Sequence, residues 1–240
     1  MLPTDKAARI AGFVYLLLVV TGPFTLIYLP NKLIVPGNAA ATANNILAHE
    51  MLFRVDIVAE LIGAVIFICL GVALYRLLSG VEKTPAILMV AFVLVSSAVG
   101  FINALNNVAA LLLVRADDFL AIFDKPQRDA LGMLFIRLHE QGNVINELFW
   151  GLWLLPLALL VYRSRFLPRF LGVWLALGGF AYVILSLTSL LLPQYEGKVF
   201  TFSQPAFFGE LAFMLWLLIK GAKSKLPPPA EALALGHPSG

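Results

Sequence analysis

Six long runs of apolar residues dominate the chain, separated by short polar breaks. They lie at about Ala8 to Tyr28, Val55 to Leu78, Ala86 to Val114, Glu140 to Tyr162, Phe170 to Leu192 and Pro205 to Ile219. Long stretches such as Ile10 to Leu29 and Leu171 to Leu192 contain no Asp, Glu, Lys or Arg. A bilayer core about 30 Å thick is crossed by roughly 20 apolar residues in a helix, and these runs meet that length. They are too long for barrel strands and lack the alternation of such strands. The pattern predicts an all-α integral membrane bundle of six transmembrane helices.

The first run follows Lys6 and Arg9, as a signal peptide would, but its apolar stretch is longer than the 7–15 residues of a signal core. It reads as a retained span. Two polar-apolar stretches, Ala39 to Phe53 and Asp117 to Leu138, are expected to lie along the interface or to lengthen the second and fourth spans. Residues 1–225 read as one transmembrane domain, and 226–240, opening Leu-Pro-Pro-Pro, as a disordered Pro-rich tail.

Composition agrees with the pattern. Of 240 residues, 60% are hydrophobic and 13% charged, against about 25% charged in a soluble domain. The net charge of +3 is too small to suggest a nucleic-acid partner; the bilayer is the expected surrounding. Cys69 is the single cysteine, which excludes an intrachain disulfide framework and a thiolate cluster. Orientation follows from the basic residues near span ends. Lys6, Arg9, Arg76, Lys83, Arg163, Arg165, Arg169, Lys220, Lys223 and Lys225 all fall on one side, ten of the 17. That side is expected to be the cytoplasm, with both termini in it.

Ionisable residues inside spans cost about 2.5–3.5 kcal/mol each on insertion scales, so each needs a reason. The second span opens with Arg54, Asp56 and Glu60, the two acids on one face. The third closes with Asn103, Asn106 and Asn107. The fourth opens with His139, Glu140, Asn143, Asn146 and Glu147; at about 100° per residue the two glutamates nearly eclipse, and the other three fill an adjoining arc. The sixth carries Glu210. From helical rise, Glu147 lies about 22 Å and Glu60 about 24 Å from the cytoplasmic edge, with Glu210 about 15 Å up, near the midplane. Converging polar faces would form a pocket opening outward, with Glu210 at its floor. Its expected ligand-binding residues are Glu60, Asn103, Asn106, Glu140, Asn143, Glu147 and Glu210. Asparagines in spans also serve as interhelical glue, and Arg54 and Arg137 can each neutralise an acid. His139 and Glu140 begin like a zinc-protease helix, but Asn143 stands where its second histidine belongs, so they are weak metal candidates and no cofactor is specified. Pro23 and Pro156 are expected to kink their helices.

Phe149-Trp-Gly-Leu-Trp-Leu-Leu-Pro156-Leu, followed by Val161-Tyr-Arg-Ser-Arg-Phe-Leu-Pro168-Arg-Phe-Leu-Gly172, resembles the bacterial family called domain of unknown function 4386. Ala8-Arg-Ile-Ala-Gly12, Leu138 to Glu147 and Gly209 to Gly221 resemble it too, so the likeness runs from about Ala7 to Lys223. The resemblance implies a multipass protein of a bacterial cytoplasmic membrane. It supplies no activity and no catalytic residue; His139, Glu140, Asn143, Glu147 and Glu210 lie within the similar segments. Three functions stay open: a binder or transporter of a small molecule or cation, a metal-assisted intramembrane hydrolase, and a non-enzymatic assembly partner.

Overall fold

The computed structural model describes residues 4–116 and 118–222; the Pro-rich tail lies outside them. Seven helices and no strand occur among the described residues. They are α1 (Asp5–Leu33), α2 (Ala39–Ala48), α3 (Glu50–Leu78), α4 (Lys83–Arg115), α5 (Lys125–Arg163), α6 (Arg169–Leu191) and α7 (Pro193–Lys220). All except α2 are long and apolar enough to cross a membrane.

The two mixed stretches are helical over Ala39–Ala48 and from Lys125 onward, for visible local reasons. Asn38 caps α2, accepting from the Ala41 amide at 2.9 Å. Asp124 and Gln127 form a reciprocal capping box ahead of α5, at 2.8 and 3.0 Å, with Pro126 in the first turn. This start gives α5 39 residues, about 58 Å of helix, nearly twice the bilayer core. The sixth span also begins earlier than its apolar run. Glu196, Lys198, Thr201, Ser203 and Gln204 read as loop, yet the helix passes through them and through Pro205. Pro23 does more than bend α1: the helix widens into a π turn over Phe24–Tyr28 directly after it. Pro156 lies buried inside α5.

Each span packs mainly on its neighbours in sequence, and α1 closes against α7, so the six form a ring. Small residues allow the tight seams. A Cβ at Gly151 of α5 would stand 2.5 Å from the Gly179 carbonyl oxygen of α6, and one at Gly12 of α1 would stand 2.6 Å from the Leu218 nitrogen of α7. Arg9 Nη1 donates to the Leu218 carbonyl at 3.3 Å, and the Ala222 amide to Asp5 at 3.3 Å. The two ends of the described chain therefore share one side, as six crossings require.

The ring is filled unevenly. In the half nearer the termini the centre is solid: Leu70, Leu74, Met89, Leu154, Leu157, Leu160 and Phe213 are fully buried. A second apolar cluster, with Leu29, Leu33, Ile46, Phe53 and Leu111, ties the far end of α1 to α2, α3 and α4. The far half of α7 is held instead by α6. Trp174 Nε1 donates to the Pro205 carbonyl at 2.9 Å, and the Tyr182 and Phe207 rings lie 4.4 Å apart. Beyond Tyr15 and Glu210 the two end helices follow different partners, which leaves the α1–α7 seam the loosest in the ring.

Candidate functional site

A cavity of about 250 Å³ occupies the centre of the ring in the half away from the termini, and all six spans line it. On α5 the lining stripe is His139, Asn143, Asn146, Trp150 and Trp153, spaced alternately four and three residues apart, which keeps one face of a helix inward. Helical rise places its ends. Glu210, Tyr15 and Trp153 lie about 14–15 Å from the basic residues at the terminal ends of their helices, and Asn103 and Asn143 about 30 Å. The cavity thus runs from the midplane to the far edge of the bilayer core.

Glu210 sits at the floor. It accepts a hydrogen bond from the Tyr15 hydroxyl, and the Tyr182 hydroxyl lies near it. No Lys, Arg or His pairs with it among the described residues. Tyr15 is fully buried, its ring 6.1 Å from that of Trp153 and 6.3 Å from that of Phe213. Phe67 meets Trp153 edge-on at 5.1 Å. These rings join helices across the lumen and seal the cavity from the solid half below.

Midway up, buried Ser96 donates to Asn146 Oδ1 at 2.8 Å. Near the mouth, Asn103 donates from Nδ2 to the His139 carbonyl at 2.9 Å and to Asn143 Oδ1 at 3.1 Å. A side chain at Gly142 would collide with the Asn103 amide, so glycine is what lets α4 and α5 meet there. Glu60 pairs with His139 Nε2 at 3.0 Å and accepts from Asn107 Nδ2 at 3.4 Å. Asp56 is buried one turn away, and its Oδ1 has no hydrogen-bond partner among the described residues.

Of the seven expected ligand residues, the structure brings Glu60, Asn103, Asn143 and Glu210 to the cavity wall. Glu140, Glu147 and Asn106 are not on it. Glu140 pairs outward with Arg137 at 2.6 Å. Glu147, on the same stripe, is half-buried with its Oε2 unpartnered among the described residues. The two arcs on α5 are separated by about 100°, and the Asn-rich arc is the one turned inward. Asn106 stands behind Asn103, donating to its Oδ1 at 3.0 Å. Arg54 neutralises no mid-span acid; it pairs with Glu50 at 2.8 Å, where Arg115 joins at 3.5 Å. His139 and Glu140, the weak metal pair, are divided between Glu60 and Arg137. No group of three or more His, Cys, Asp or Glu side chains set to hold a metal occurs among the described residues.

Tyr15, Tyr182, Ser96 and Asn146 join the site although none is among the seven residues expected to bind a ligand. For Asn146 and Ser96 a signal existed in the helical stripes they share with Asn143 and Asn103. Tyr15 meets Glu210 across 195 residues, and no local pattern announces such a pairing.

A closed ring of six membrane-length helices around a one-sided polar cavity defines a polytopic helical membrane protein with an internal polar cavity. The sequence pattern of the family described as domain of unknown function DUF4386 matches residues 10–221, and the chain belongs to that family. It is also similar to an uncharacterized protein of Archaeoglobus fulgidus, 30% identical over 156 residues, covering 65% of this chain and 77% of the relative. No solved structure matches the chain.

Proposed function

We propose that the protein binds a small molecule or cation in this cavity, as a transporter or sensor of a bacterial cytoplasmic membrane, with both termini in the cytoplasm and the cavity opening outward. One observation carries the reading: Glu60 and Glu210, from different helices, line the same cavity at opposite ends. A carboxylate near the midplane is expensive to keep, and among the described residues the hydrogen bond that offsets that cost for Glu210 comes from the Tyr15 hydroxyl. Glue between two helices does not require a carboxylate beside an empty volume, whereas a site for a cation or a hydrogen-bond donor does. The volume exceeds the roughly 150 Å³ of a cavity that holds benzene, so it suits one small solute.

The hydrolase reading gains nothing from the geometry, because His139 and Glu140 face different partners. The binding reading is tested with purified protein in nanodiscs, by measuring thermal stabilisation against inorganic cations and small polar and amine solutes. At least one solute should raise the melting temperature, and Glu210→Gln should abolish that rise while the unliganded protein still folds. A solute response identical in Glu210→Gln and the parent protein contradicts the assignment of the site.

A further inference from the structure

The lower part of the cavity is chemically unlike its mouth. The mouth is amide-rich, with Asn103, Asn143 and the Glu60–His139 pair. The floor holds a single acid, Glu210, and around it are aromatic rings. Tyr15 leads from Glu210 to Trp153, and Trp153 to Phe67 at 5.1 Å. Tyr182 leads from Glu210 to Trp150, with ring centres 6.0 Å apart. Phe67, Trp150, Trp153 and Tyr182 all line the cavity. Between the floor and the mouth, apolar and small residues such as Leu18, Gly22, Gly63 and Ala64 share the wall with Thr21, Ser97 and the Ser96–Asn146 pair.

We infer that this floor is a binding site for a small organic cation, an amine or quaternary ammonium carrying an apolar body. The inference rests on the binding function proposed above and names the class of its ligand. Three features point the same way. The acid supplies the one counter-charge, and no basic side chain competes for it among the described residues. Indole and phenol faces attract a cation through their ring quadrupoles, most strongly where water is excluded. A strongly hydrated inorganic ion would need several oxygen ligands, and the floor offers one carboxylate and two hydroxyls. An organic cation keeps its charge without a coordination shell and gives the apolar walls something to cover.

The test uses the full chain in nanodiscs and follows quenching of intrinsic tryptophan fluorescence, with melting temperature as a second readout. The probes are benzyltrimethylammonium, its uncharged carbon isostere neopentylbenzene, and benzenesulfonate. The cation should bind at least ~10-fold more tightly than either other probe, a factor that corresponds to about 1.4 kcal/mol. Glu210→Gln should lose at least that factor, and Trp150→Ala should weaken the cation while leaving the fold intact. The probe comparison needs no variant, so it decides even if Glu210→Gln fails to fold. Equal binding of the neutral isostere overturns the cation class but leaves a ligand-binding cavity. Binding of inorganic cations alone also overturns it, again without touching the broader reading. If no solute of any kind binds, both fail together.

Discussion

At the scale of single residues, the polar side chains on the cavity wall are explained by what they touch rather than by their type, while Asp56 Oδ1 and Glu147 Oε2 lack a hydrogen-bond partner among the described residues. Ser96 and Asn146 join α4 to α5 in the middle of the ring. Asn146→Ala removes that bond and is expected to cost about 0.6–1.7 kcal/mol, read as a lower midpoint in detergent unfolding, with Ser96→Ala adding little to it because both changes remove one interaction. Glu210 is held by the Tyr15 hydroxyl. Tyr15→Phe deletes a donor to a buried carboxyl and should destabilise by about 1.5–3 kcal/mol, the range for hydrogen bonds to charged groups. Tyr195→Phe, at an exposed site, should change the midpoint by less than about 0.5 kcal/mol. Equal effects of the two substitutions would place Glu210 outside any structured site.

The same residues mark what was legible in the sequence. Six spans were readable because charge is nearly absent from long stretches, and nothing in water-exposed structure leaves that pattern. Glu60, Asn103, Asn143 and Glu210 were readable as buried polar groups at span positions. The choice of face on α5 was not, since the Glu140–Glu147 stripe and the Asn143–Asn146 stripe adjoin and both are polar. Only packing against α4 turns one of them inward. Tyr15, Tyr182, Trp150 and Trp153 resemble ordinary packing or interface aromatics until the ring closes and sets them around an acid.

At the scale of helices, glycine sets how near the spans approach. Gly151 and Gly179 place the α5 and α6 backbones in contact, so a side chain at either must push the helices apart. Gly151→Val should lower stability by about 1–3 kcal/mol, the usual cost of overpacking. Gly80→Ala lies in open space and serves as the control; thermal unfolding monitored by circular dichroism separates the two. Pro23 and the π turn after it carry the outer part of α1 toward α2 and α3. That departure leaves α7 to α6 and makes the ring tight at one end and loose at the other.

At the scale of the whole molecule, the proposed outward opening makes the ring a cup: solid toward the termini, hollow in the opposite half, with aromatic rings and one carboxylate at the bottom. That opening requires water to reach the hollow half from one side and to stop at the floor. The direct measurement replaces Cys69 with serine and places single cysteines at Gly100, which lines the cavity with its nearest neighbour 3.9 Å from the new Cβ, and at Leu157, fully buried in the plug. A water-borne thiosulfonate reagent is then applied to reconstituted protein. The cup predicts labelling of Gly100→Cys, only from the face away from the termini, and none of Leu157→Cys. Labelling of both, or of neither, would contradict it.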